Sequence, residues 1–196
     1  RHAAGQPVIG GAMQIETDSY WVLCDNLLSF TDTLASASAG ERAYLPSFCL
    51  AVERELFEQA GGFDERFAGA AGEDIDLSMR LRGLGHSLQF EPALRVAHRP
   101  QRASARAVWQ HQRGYGQMYY WVACEYPDLL SSPLARLPSW VGNLLLLGAP
   151  ALALKDIGWL LLRCPAARAR AGTLPGLIWG RIGWYAGIRQ SLRKPA

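Results

Sequence analysis

A chain of 196 residues with 49% hydrophobic side chains has enough apolar content to bury a core, which argues against intrinsic disorder and allows one domain or one and a half. Its net charge of +3 hides two regimes: residues 1–128 carry 11 Lys and Arg against 16 Asp and Glu (−5), whereas residues 129–196 carry 9 against 1 (+8). The basic part is also the more apolar one, a pairing that favours an anionic membrane surface over nucleic acid as partner. Cys24, Cys49, Cys124 and Cys164 form no CxxC pair or Cys/His cluster and are expected as reduced thiols.

The chain opens without a signal peptide or initiator Met, and residues 1–5 run into Pro7 to Gly11 like the approach to a strand in mid-domain, so a fragment or truncated product is expected. Residues 8–15 mix β-branched residues with glycines and predict a buried strand. Residues 18–30 bring Tyr20, Trp21, Leu23, Leu27, Leu28 and Phe30 at helical spacing. Residues 31–42, rich in Ser, Ala and Thr, read as a loop free to move over a cleft. Residues 45–52 predict a further strand, followed by a short helix through Leu56, Phe57 and Ala60 that stops at Gly61-Gly62.

A helix is predicted over residues 73–84, with acids in its first turn to suit the macrodipole and Leu77, Leu81 and Leu84 at i, i+4, i+7. Two short strands, 86–91 and 93–98, are expected on either side of Pro92. Ser104 begins a longer amphipathic helix that holds to Pro127. Beyond Pro133 two apolar stretches follow: 140–162, broken at Lys155-Asp156, and 174–188, interrupted by Arg181. Neither reaches the roughly 20 uninterrupted apolar residues of a simple span, so interfacial or re-entrant helices compete with crossing ones.

The densest chemistry lies between Gly61 and His98. Gly61-Gly62-Phe63-Asp64-Glu65 is followed by Gly72-Glu73-Asp74-Ile75-Asp76, then Arg80, Gly85, Pro92 and His98. A Gly-Gly turn lets a ligand approach the backbone, and a carboxylate at a helix N-terminus is stabilised by free N–H groups. Facing a cleft, such a carboxylate can accept a proton from a sugar hydroxyl. Plain structural roles, a helix C-cap for the glycines and helix capping for Asp74, compete with these.

This stretch resembles the acceptor-side half of family 2 glycosyltransferases, whose pattern runs GGFDE, an ED pair, an Arg-bearing helix, a Gly and a strand ending in His. The likeness covers about residues 8–125, including Pro46 to Arg54. It implies an α/β, partial GT-A (Rossmann-like) fold, with residues 1–128 as the acceptor-side part and residues 129–196 as a basic, apolar, membrane-associated helical tail. It makes Asp74 the general base, with Glu73 positioning the site, and puts Gly61, Gly62 and Asp64 in the acceptor pocket. His98 is implied to face the nucleotide diphosphate or its metal.

Asp74-Ile75-Asp76 also spells DxD, the family's metal signature. Two carboxylates at i and i+2 of a helix point about 160° apart and chelate one ion poorly, so Asp76 is expected to match the dipole only. Gln110-His111-Gln112-Arg113 holds the QxxR half of a QxxRW motif with Gly114 in place of Trp, which suggests Gln110 and Arg113 for the donor diphosphate and puts processive polymerisation in doubt.

The resemblance implies an inverting enzyme at the cytoplasmic face of a membrane, moving sugar from a nucleotide-sugar donor to a glycan or lipid-linked acceptor in cell-envelope synthesis. A divalent cation, Mg²⁺ or Mn²⁺, is expected to be bound mainly by an N-terminal nucleotide-binding half that the sequence lacks. A non-catalytic membrane-associated remnant or scaffold of the same fold is the alternative. Nucleic acid is not expected, because the basic residues lie among Trp and Leu runs rather than on a recognition helix.

Overall fold

The computed structural model describes residues 5–67, 72–99, 102–130 and 137–193. Residues 1–4 and the change of composition at Pro133 lie outside them. Four strands, β1 (Val8–Gln14), β2 (Gly40–Arg42), β3 (Leu50–Val52) and β4 (Leu88–Ala97), form one mixed sheet in the order β2-β4-β1-β3. β1 and β4 run parallel at its centre, while β3 is antiparallel to β1 and β2 antiparallel to β4.

Because successive side chains of a strand point to opposite faces, β1 serves two cores. Val8 and Ala12 pack with Leu45, Leu56, Leu77 and Phe90 on one face, and Met13 packs with Leu27, Phe30, Ile157 and Leu177 on the other. The helices are α1 (Tyr20–Ser29), α2 (Arg54–Gln59), α3 (Glu73–Gly83), α4 (Ala105–Glu125), α5 (Pro127–Leu130), α6 (Val141–Arg163), α7 (Pro165–Arg168) and α8 (Leu174–Arg193). The chain is a mixed α/β protein dominated by helix.

Three expected elements change. The two strands around Pro92 are one strand, because the parallel register jumps from Gly11 opposite Glu91 to Ala12 opposite Arg95. Pro92, which has no N–H to give the ladder, falls in the resulting bulge. The bulge folds close over Gly11, where a β-carbon would meet Leu94 and Cys49. Second, the 31–42 loop begins with a 3-10 turn (Thr31–Thr33) and ends in β2, and most of 45–49 is a turn leading into the three-residue β3. Third, Lys155-Asp156 does not break the apolar run: one 23-residue helix, α6, passes through it.

Helix α8 carries Gly176, Gly180, Gly183 and Gly187 at i, i+4, i+7, i+11, one side of the helix. These glycines bring its backbone against Tyr20 and Cys24 of α1 and against Trp109 and Arg113 of α4. Gly116 of α4 answers from the opposite side, where a β-carbon would run into the carbonyl of Trp184. The basic C-terminal helices therefore share a core with the acidic N-terminal part.

Gly116→Ala is expected to force α4 and α8 apart and to cost about 3 kcal/mol, read as a lowered denaturation midpoint. Gly114→Ala is the control: a β-carbon there meets nothing within 4 Å. It should be neutral or stabilise by up to about 1 kcal/mol through helix propensity.

Candidate active site

The acid pair opens α3. Gly72 caps the helix in a left-handed conformation, φ 96°, where a β-carbon would press on Phe67 and Met118. Glu73 and Asp74 follow in the first turn. Beside them runs the segment before β3, tied to α3 by the Leu45 N–H, which donates to Ser78 Oγ at 3.1 Å. Ser47 then clasps both acids: its N–H donates to Asp74 Oδ2 at 3.2 Å and its hydroxyl to Glu73 Oε1 at 3.4 Å. The Ile75 N–H donates to Asp74 Oδ1 at 2.8 Å.

Asp74 is half-buried, and withdrawal from water, reinforced by the charge of Glu73, pushes its carboxyl up to about 6, against the pull of these N–H donors. It stands between two cavities. The larger, about 420 Å³, is lined by Tyr44, Tyr115 and Tyr119 with Arg181 and Trp184 of α8. Burial, with the charge of Asp74 added, pushes the Tyr44 and Tyr115 phenols up, so both keep their protons as donors. The smaller cavity, about 100 Å³, is lined by Glu73, Asp74, His98, Arg102, His111 and Tyr115, among others.

Glu73 Oε2 and His98 Nδ1 are both buried without a hydrogen-bond partner, and both residues line this smaller cavity. An unmet buried polar atom costs about 1–3 kcal/mol, so the pair marks a place for polar atoms of a ligand or for water. The His98 ring packs against both Phe30 and Phe48, with ring centres 5.3 and 5.6 Å away. Burial and the charge of Arg102 push its pKa down, leaving it neutral at physiological pH.

Asp25 organises the far wall. It is fully buried in α1, where Arg102 Nε donates to Oδ2 at 2.6 Å, and His111 Nδ1 (2.7 Å) and Gln112 Nε2 (3.1 Å) converge on Oδ1. Burial alone would raise its carboxyl, but the bonds and charges of His111 and Arg102 outweigh that and hold it below the ordinary range. An ionised Asp25 fixes His111 with its proton on Nδ1.

The structure thus brings Asp74, Glu73 and His98 together but not the other expected residues. Gly61 and Gly62 end α2: Gly62 N–H donates to the Phe57 carbonyl and Gly61 N–H to that of Glu58, both at 3.0 Å, with positive φ at both glycines. Asp64 accepts from the side chain and the N–H of the neighbouring Arg66. None of the three lines the cavities beside Asp74. Gln110 and Arg113 are exposed on α4, turned away from the face that carries His111, Tyr115 and Met118 into those cavities.

Asp76 is buried and bound by Arg80 at 2.7 Å and by the Tyr126 hydroxyl at 2.6 Å, so it braces α3 against the end of α4. Among the described residues no group of three or more His, Cys, Asp or Glu is placed to hold a metal ion. On their own these residues do not fit a divalent cation.

Asp25, Tyr44 and Ser47 were not singled out by sequence reasoning. Asp25 had one signal, as the lone charge in the apolar run of α1; Arg181, the lone charge in the α8 run, had the same signal but read only as an interruption.

No protein-family model matches the chain, and no solved structure matches it. Parts of it are similar to two glycosyltransferases and an O-antigen biosynthesis protein. It is 34% identical over 86 residues to the pre-mycofactocin glycosyltransferase of Mycobacterium tuberculosis, covering 44% of this chain and 18% of that protein. It is 27% identical over 113 residues to the N-acetylglucosaminyl-diphospho-decaprenol L-rhamnosyltransferase of the same organism, covering 58% and 36%. The O-antigen biosynthesis protein RfbC of Myxococcus xanthus is 41% identical over 61 residues, 31% of this chain and 5% of that protein. The matched stretch spans little more than a third of the rhamnosyltransferase and under a fifth of the other two. These partial likenesses support a glycosyltransferase in the broad sense.

Asp74 and Asp25 give opposite pH signatures. The Asp74 carboxyl is raised, so between its ordinary 3.8 and about 6 the folded protein holds a proton that the unfolded chain has released, and stability falls as pH rises through that window. Asp74→Asn is therefore expected to stabilise by about 2 kcal/mol at pH 7 and to change little at pH 4. The Asp25 carboxyl is lowered, so its contribution is present above the ordinary value and lost as pH falls through the lowered one. Asp25→Asn, which leaves Arg102 and His111 without their partner, should cost about 3 kcal/mol at pH 7. Denaturant titrations at the two pH values check both signs.

Proposed function

We propose that this chain is the acceptor-side part of an inverting family 2 glycosyltransferase with a GT-A fold, with Asp74 as its base. The observation that carries the reading is the Asp74 carboxylate, raised to about 6, held by the N–H groups of Ser47 and Ile75, and set in the wall between two adjoining cavities. A base poised just below working pH is mostly ionised yet still takes a proton readily.

In the proposed reaction an acceptor hydroxyl lies in the larger cavity, oriented by the tyrosine phenols. Asp74 takes its proton as the oxygen attacks the anomeric carbon of the nucleotide sugar. The new C–O bond forms from the face opposite the leaving nucleotide diphosphate, whose bond to the sugar breaks with its electron pair, and configuration inverts. Glu73, held by Ser47, lies beside Asp74 and helps to raise the basicity of its carboxylate. A Mg²⁺ or Mn²⁺ ion would be held mainly by a nucleotide-binding half outside this sequence, and Gln110 and Arg113, exposed on α4, line neither cavity beside Asp74.

The acceptor is proposed to be a glycan or a lipid-linked sugar in cell-envelope polysaccharide or glycolipid synthesis, a setting that two of the similar proteins carry in their names: decaprenol in one, O-antigen in another. Residues 1–128 would form the acceptor-side unit and residues 129–196 a tail that holds it at the cytoplasmic face of the membrane. The opposite charge of the two parts supports that division.

Asp74→Asn in the natural full-length protein is expected to lower kcat by about 10³-fold or more, with donor KM near wild type and the fold retained. The wild-type kcat/KM should fall on the acid side with an apparent pKa of about 6. Transfer by the variant at close to the wild-type rate would assign the base elsewhere, whereas absence of transfer by the wild type would favour a non-catalytic remnant of the fold.

A further inference from the structure

Among the described helices α6 alone is long and apolar enough to cross a membrane, and only 17% of its most apolar window, of mean hydropathy 1.6, is buried. It is therefore no ordinary core helix. Its outward side is a strip of Trp140, Leu144, Leu147, Leu154 and Leu162 at i, i+4, i+7, i+14, i+22, with Leu147 80% exposed and Trp159 beside the strip. The exposed cations Lys155, Arg163, Arg168 and Arg170 stand on α6 and just beyond it.

The inward side is taken. Ala149 packs with Tyr185, Ile188 and Leu192 of α8, and Ile157 with Met13 of β1 and Leu27 of α1. Asp156 accepts from Arg181 Nε at 2.7 Å and from the Tyr185 hydroxyl at 2.6 Å. Crossing a bilayer would draw that ion pair and one face of the sheet's core toward hydrocarbon. Lying in the membrane plane buries only the apolar strip and leaves the cations at the headgroups.

A groove of about 360 Å³ opens between this helix and the connection from β2 to β3 around Tyr44. It shares Leu28, Phe30, Tyr44 and Arg181 with the larger cavity of Asp74, and its other end is bounded by Trp159 and Arg163. The charged groups that line it are Arg42, Arg163, Arg181, Asp32 and Asp156. Asp156 is already paired with Arg181, while Arg42 donates to the carbonyls of Asp32, Ser38 and Glu41. Arg163 lies over the Trp159 ring at 4.5 Å, and no carboxylate among the described residues pairs with it.

We infer that this groove receives the phosphate or diphosphate headgroup of a lipid-linked acceptor entering sideways from an anionic bilayer on which α6 lies flat, with Arg163 meeting the phosphate and the sugar reaching Asp74. The inference rests on the reading of the Asp74 cavity as a site of sugar transfer. It adds to that reading a headgroup site and a direction of entry. A guanidinium with free donors at the membrane end, and a path of shared walls to the carboxylate, are the features that select a lipid-borne phosphate.

The test is flotation of the natural full-length protein with phosphatidylcholine vesicles carrying equal charge as either phosphatidylglycerol or a long-chain isoprenyl phosphate. The wild type is expected to bind the isoprenyl phosphate vesicles about tenfold more tightly, and Arg163→Ala to remove that preference while leaving phosphatidylglycerol binding within about twofold. The double variant Leu147→Glu, Leu154→Glu, at exposed positions outside the core, is expected to lose both. Equal wild-type affinity for the two vesicles, an equal loss on both in Arg163→Ala, or retained binding by the double variant overturns the inference. None of these readouts needs catalysis, so failure of the Asp74 reading would appear separately, as transfer that survives Asp74→Asn.

Discussion

The buried carboxylate of Asp25 is the interaction on which the site depends. A charge removed from water must be met on all sides, and here it is met by Arg102, just before α4, and by the adjacent His111 and Gln112 within it. Those bonds fix the angle at which α4 leaves the end of β4 and passes α1. Because His111 and Tyr115 stand on the same side of α4, that angle also places the wall opposite Asp74. Moving Asp25 would move the cavity.

The second constraint is the close approach of α8. A helix with glycine along one side can lie almost backbone to backbone against its neighbours, and here it brings Arg181 and Trp184 to the cavity that Asp74 borders. The change of charge near residue 128 is thus a change of composition crossed by a shared core, since Met13 and Leu27 pack with Ile157, Cys164, Ala167 and Leu177. Whatever surface α6 meets, it is coupled rigidly to the walls of the cavity through the Asp156 bonds to Arg181 and Tyr185.

Much of this was legible in the sequence, for physical reasons. Strong periodicity marked α1, α3 and α4, glycines marked the end of α2, and Ser104 marked a start, where its hydroxyl accepts the Ala107 N–H at 3.2 Å. The acid pair could be placed because a helix start and a turn bracket it. The continuous β4 was not legible: a proline inside a strand reads as a break unless the partner strand offers a register jump, which no local pattern encodes. Nor did spacing reveal the Asp25 cluster, whose other members lie 77 to 87 residues from Asp25. The glycines of α8 were visible but carried no meaning until the helix they accommodate was known, and the exposure of Gln110 and Arg113 follows from which side of α4 faces α1, a tertiary fact.

Contacts of α8 reach very far along the chain. The Tyr20 hydroxyl accepts from Gly176 N–H across 156 residues, and the Cys24 thiol lies 3.7 Å from the Thr173 carbonyl across 149. Closing such distances is entropically slow and comes after local helices and the nearer strand pairings have formed. Until α8 docks, the acid pair stands as a bare helix end beside open solvent. The chamber around it comes into being in one late docking event, so the walls of the cavity and the closing of the core are a single step of folding.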